Sequence, residues 1–284
     1  MSGRTGAGSL VALFGGTFDP VHFGHLRAAL EAAERLAASE MRLLPAGEPP
    51  HRDPPVAAAA HRLAMLRRAA DGHPGFTVDD REVRRPGPSW MVDTLDEIRD
   101  ELDEVPLVLC IGQDAANNLD RWRDWRRLFE LAHLAVLRRP DARGAYREEL
   151  RAQMLRRRVD DARELRLAPA GRVLSLAITQ LDISATAIRE RVSRGRSPAF
   201  LLPDAVAEYI RHGLEGMTLL DHPGSKAVAE NMGPPIGHNH AGGKQTPADE
   251  LRDDMAAAQR TVRRLAGQEH FLPGAKGPGV AQIL

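Results

Sequence analysis

Short apolar runs alternate along this chain with segments of helical periodicity, and that alternation restricts it to one class of fold. The apolar runs are 9–14 (SLVALF), 41–45 (MRLLP), 76–80 (FTVDD), 106–111 (PLVLCI), 133–138 (HLAVLR) and 173–178 (VLSLAI). Helical periodicity covers 23–38, 57–71, 91–103, 125–131 and 145–157, and returns at 185–194 and 204–212. Most of these runs are apolar nearly throughout, as in strands buried on both faces. Such strands, separated by helices, predict an α/β fold with a parallel sheet covered on both sides.

The 284 residues suffice for one large domain or two small ones, and 43% hydrophobic residues can fill a core. Lys+Arg and Asp+Glu both number 39, so no basic excess argues for a nucleic-acid partner. The lone cysteine, Cys110, excludes an intrachain disulfide and fits a reducing, cytoplasmic setting. It lies in the apolar run PLVLCIG and is expected to be a small buried hydrophobe. The start MSGRTGAG is too polar for a signal peptide, and no run is long and apolar enough to suggest a membrane span.

After Gly213 the composition changes. Residues 221–247 are rich in Gly, Pro, Asn and His and read as a linker. One more helix is expected behind Thr246 and Pro247, with Leu251, Met255, Ala258, Val262 and Leu265 as a single apolar stripe. The pair His238 and His240 lacks a third ligand and predicts no metal site.

The first strand runs into GGTFDPVHFGH, residues 15–25, and then into a helix. Ligands of α/β sheets bind at the carboxyl ends of strands. Gly15 and Gly16 leave room for a phosphate to approach backbone N–H groups, and the following helix offers its positive N-terminus. His22 and His25, three apart on one face, can hydrogen-bond phosphoryl oxygens and, if protonated, offset charge on a leaving group. Capping and packing is the alternative for the same pair. Asp19 is expected to fix the turn together with Pro20. A second stretch, ISATAIRER (183–191), places Ser184 and Thr186 at a helix start with Arg189 behind them, again suited to an anion. An ordinary capped helix is the alternative there.

Taken whole, GGTFDPVHFGH resembles the nucleotidylyltransferase superfamily with an (H/T)-x-G-H box, and ISATAIR resembles its I-S-x-T-x-I-R motif. PPHR (49–52), RRPGPSW (84–90), IGQD (111–114), RWRDW (121–125), HLAVLRRP (133–140) and LLPDAVAEYI (201–210) follow in the order of bacterial nicotinate-nucleotide adenylyltransferases. The resemblance runs from about residue 9 to 214. It implies a Rossmann-like, doubly wound parallel sheet over 9–214, with 215–284 a helical and flexible extension of unknown role.

The implied reaction moves the adenylyl group of ATP to nicotinate mononucleotide, with Mg²⁺ held mainly by the phosphates and no protein metal ligands. The resemblance implies that Gly15, Gly16, Thr17, His22 and His25 contact the ATP phosphates, and that Ser184, Thr186 and Arg189 hold the triphosphate from the other side. It places Gly112 and Asp114 at the adenosine, His51 and Arg52 on a loop near the phosphates, and Trp122 on the pyridine ring. Backbone N–H groups of Met91 and Arg123 would face the carboxylate. The chain has Trp90-Met91 where the family often has Tyr-Thr. Other readings are a nicotinamide mononucleotide or phosphopantetheine adenylyltransferase, or a nucleotide-binding regulator without turnover. Among bland features, REVRR (81–85) is expected to be a solvated edge with one or two phosphate-facing arginines, and core packing is the alternative for both Trp122 and Trp125. A homo-oligomer is compatible with all of this.

Overall fold

The computed structural model describes residues 9–49, 54–138 and 144–220. Seven parallel strands form one sheet: β1 (Val11–Gly16), β2 (Glu40–Pro45), β3 (Phe76–Val78), β4 (Leu107–Gly112), β5 (His133–Arg138), β6 (Arg158–Val159) and β7 (Val173–Ala177). Their order is β3-β2-β1-β4-β5-β7-β6. The helices are α1 (Phe23–Leu36), α2 (Ala59–Ala70), α3 (Arg81–Arg84), α4 (Met91–Leu102), α5 (Gln113–Asn117), α6 (Trp125–Leu131), α7 (Glu148–Arg156), α8 (Ala185–Ser193) and α9 (Asp204–Leu220). Each apolar run expected to be a strand is one. The short α3, α5 and β6 carry too few residues to show a period. Helix α9 runs past the expected 204–212 to Leu220; the linker and helix expected in 221–284 lie outside the described residues.

The strands feed two cores because successive side chains point to opposite faces. Ala12 and Phe14 of β1 pack with Val108 and Cys110 of β4 against α1, α2, α8 and α9. Val11 and Leu13, between them in sequence, pack with Leu107 and Leu109 against α4, α6 and α7. This is the doubly wound arrangement. It follows from runs that are apolar at both parities.

The ladder geometry positions the site. Chain order reverses between β1 and β4, the central neighbours. Their pairing extends from Val11–Leu107 to Phe14–Cys110 and stops. Beyond it, β1 continues on β2 as far as Gly16–Pro45, and β4 continues on β5 as far as Gly112–Leu137. The two central strands therefore part company over their last residues. Such a switch point opens a crevice at the carboxyl edge of the sheet.

Candidate active site

The crevice is a cavity of about 550 Å³. Gly15, Gly16 and Thr17 form its β1 wall, and Ile111, Gly112 and Asp114 its β4 wall. Trp90 and Met91, at the start of α4, close one side, and Trp122 and Arg123, just before α6, close another. Met91 is the first residue of α4, so its N–H has no intrahelical acceptor. Arg123 lies 5.7 Å from the Trp90 ring centre and 3.4 Å from Asp93, which ties the two aromatic walls together.

Beside this cavity the two sequence motifs meet. The rings of His22 and His25 stack with centres 3.7 Å apart, and Phe18 meets His25 edge-on at 5.1 Å. The glycine between the histidines is required: a Cβ on Gly24 would sit 2.9 Å from His22 Nδ1 and 3.5 Å from the Ile183 carbonyl. Its absence leaves the His22 ring the room it occupies, with the Ile183 carbonyl at ordinary contact distance beyond it. Arg189 of α8 then donates from Nη1 to the Asp19 carbonyl at 2.6 Å, and from Nη2 to Thr186 Oγ1 at 3.3 Å. Ser184 is the N-cap of α8, its Oγ accepting from the Ala187 N–H at 3.1 Å. Residues 170 positions apart are thus joined at the mouth of β1.

His22 is fully buried, and neither ring nitrogen has a hydrogen-bond partner among the described residues. Burial pushes its pKa down to about 4. Near pH 7 the ring is neutral, so it meets an incoming anion as a hydrogen-bonding group and not as a preformed cation. Cys110 also borders the cavity, but burial pushes its thiol up to about 12, which favours the protonated thiol over a thiolate nucleophile.

Residues 13–191 match the family model described as cytidylyltransferase-like. A "Probable nicotinate-nucleotide adenylyltransferase" of Methylococcus capsulatus is 51% identical over 202 residues, 71% of this chain and 96% of that protein. Another of the same name, from Pseudomonas paraeruginosa, is 48% identical over 204 residues, 72% of this chain and 95% of that one. The chain belongs to the nicotinate-nucleotide adenylyltransferase family. The solved structure "Plasmodium falciparum nicotinic acid mononucleotide adenylyltransferase complexed with NaAD" has a TM-score of 0.54 at 13% identity, covering 72% of this chain and 95% of that chain, a likeness of fold.

Against that family frame the expected residues divide into two groups. Gly15, Gly16, Thr17, Met91, Gly112, Asp114, Trp122 and Arg123 line the cavity. His22, His25, Ser184, Thr186 and Arg189 belong to the adjoining cluster and do not line it. His51 and Arg52 lie outside the described residues. Trp125 is buried in the core.

Two expectations are corrected. Asp19 reaches beyond its own turn: its carboxylate accepts from Val56 N at 2.7 Å and Ala57 N at 3.1 Å, fastening the approach to α2. In REVRR, Glu82 is buried and the arginines face carboxylates, Arg81 at 2.7 Å from Asp79 and Arg85 at 2.7 Å from Glu97. Acidic groups within reach on neighbouring elements outcompete solvent there.

Sequence reasoning missed Arg121, Asn118, Ser89 and Glu82 as lining residues. Burial raises the Glu82 carboxyl above the ordinary range; the Thr94 hydroxyl, donating at 2.7 Å, and the nearby Arg85 oppose that rise. It also missed Arg62, for which a signal existed: in HRLAML the arginine takes a place in the stripe that Met65, Leu66 and Ala69 bury.

Proposed function

We propose that this chain joins ATP and nicotinate mononucleotide into deamido-NAD, releasing pyrophosphate, in NAD biosynthesis. The observation that carries the reading is the junction of the two motifs, Arg189 on the Asp19 carbonyl, at the edge of a switch-point cavity walled by tryptophans. Membership of the family supports it.

In the proposed reaction a 5′-phosphate oxygen of the acceptor forms a bond to the α-phosphorus of ATP. The bond from that phosphorus to the bridging oxygen breaks, and pyrophosphate carries the electron pair away. The protein supplies no nucleophile. It orients the two reactants and answers the charge on the leaving group. Gly15, Gly16 and Thr17 are assigned to the phosphates through backbone N–H groups. His22 and His25, with Ser184, Thr186 and Arg189 opposite, are assigned to the triphosphate. Gly112 and Asp114 are assigned to the adenosine. Trp122 is assigned to the pyridine ring, and His51 and Arg52 to the acceptor.

Selection of acid over amide has a physical basis at the N-terminus of α4. A carboxylate only accepts hydrogen bonds, whereas an amide would turn an NH₂ donor towards the donors of Met91 and Arg123. Mg²⁺ enters with ATP as part of the substrate. The groups at the triphosphate end are imidazoles, hydroxyls and a guanidinium, which suit phosphate oxygens and not a hard divalent cation. Asp19, the nearest carboxylate in sequence, already accepts two backbone N–H groups.

The test is to offer Mg-ATP with nicotinate mononucleotide, nicotinamide mononucleotide or phosphopantetheine in turn, following pyrophosphate and adenylated product. Product mainly from nicotinate mononucleotide, lost in a folded His25→Ala variant, is the expected result. ATP binding without product from any acceptor would refute it in favour of a regulator.

A further inference from the structure

Arg62 is a cation with 1% of its surface exposed, on the inner side of α2 and outside both motifs. Burial works against its charge, while the fields of Asp19 and Glu82 favour it. Its described hydrogen bonds all go to backbone carbonyls. Nη1 donates to Thr17 at 2.8 Å, Nη2 to Gly47 at 2.8 Å, and Nε to Ala57 at 3.2 Å. These carbonyls come from three different places: the turn after β1, the segment after β2, and the approach to α2.

The middle one is held on every side. The Gly47 N–H donates to Ser89 Oγ at 3.0 Å, its carbonyl accepts from Arg62, and a Cβ on it would lie 2.2 Å from the Glu82 carbonyl. Its neighbours Ala46 and Pro49 line the cavity, as does Thr17. An apolar side chain would fill the same volume without bringing a charge out of water. What the guanidinium adds is a rigid fork of donors with fixed directions.

We infer that Arg62 is a positioning residue, setting the distance between the phosphate turn at Thr17 and the cavity wall at 46–49 without touching either substrate. The inference rests on the adenylyl-transfer reading. Steady-state kinetics of the full chain with Mg-ATP and nicotinate mononucleotide, on Arg62→Lys, test it. One ammonium keeps the charge but cannot reproduce three diverging donors. The expected result is a cooperatively unfolding variant with raised KM for both substrates and kcat/KM lower by about 10²-fold, the scale of a 1 Å misplacement. A residue that only held the fold together would lower the active fraction, and so kcat, with both KM values parental; that result overturns the inference.

Should Arg62→Lys fail to fold, Arg62→Gln decides, because its amide donates to fewer of the three carbonyls and brings no charge into the core. A raised KM for either substrate supports the inference, and parental KM values for both overturn it. A parent protein inactive with every acceptor overturns the reading of the reaction itself. An active parent with an unaltered Arg62→Lys overturns only the role of Arg62.

Discussion

The buried ring of His22, whose nitrogens have no hydrogen-bond partner among the described residues, makes stability depend on pH in a calculable way. Its pKa is about 4 in the folded chain against an ordinary 6.5. As pH falls, the unfolded chain takes up the proton first, so stability is intact above 6.5 and is lost progressively down to 4, where the loss levels off. The whole difference corresponds to about 3 kcal/mol. Between about pH 7.5 and pH 5 the loss attributable to this ring is about 2 kcal/mol. Urea denaturation of the parent and of His22→Gln at the two pH values isolates it, since other titrating groups are common to both. The parent should lose about 2 kcal/mol more than the variant over that interval. Losses that agree within about 0.5 kcal/mol would show that His22 titrates as a solvated histidine and refute the reasoning. A histidine NMR titration gives an independent check, with the His22 resonance moving near pH 4.

Four further outcomes follow from the same geometry. Ser184→Ala should lower stability by about 1 kcal/mol through loss of the α8 cap, read by thermal unfolding, and should raise the KM for ATP. Trp122→Ala should raise the KM for nicotinate mononucleotide roughly tenfold or more in steady-state assays, the scale of a lost ring-stacking contact. Cys110 should resist a thiol reagent in the native protein and react fully after unfolding, as a thiol with a pKa of about 12 requires. A chain ending at Leu220 should turn over at the parental rate, which a matched activity assay with the full chain checks.

Much of the fold was legible because its signals are local. Strands buried on both faces must be apolar at every position, and helices 23–36, 59–70 and 91–102 carry enough turns to show a stripe. The histidine pair and the glycine wall beside it were legible because glycines and histidines stand together in eleven residues of sequence. Partner choice across long separations was not. Nothing around Asp19 says that its carboxylate serves the backbone of residues 37 and 38 positions away. Arg81 and Arg85 read as free cations because Glu97 and Glu101 arrive from another helix. Arg62 broke an apolar stripe visibly, but its three carbonyl partners are assembled only by the fold.

The parting of β1 and β4 after Phe14 and Cys110 has a consequence for how such proteins change. The crevice is created by where a hydrogen-bond ladder ends, which is a property of the backbone path. Its existence therefore does not depend on which side chains Met91, Trp122 and Arg123 bring to its walls. Side chains on those walls can change the size and lining of the pocket while the crevice itself stays, because the end of the ladder is set by the backbone. A sheet of this topology therefore keeps an opening at the same edge through changes of side chain, and what varies is how that opening is filled.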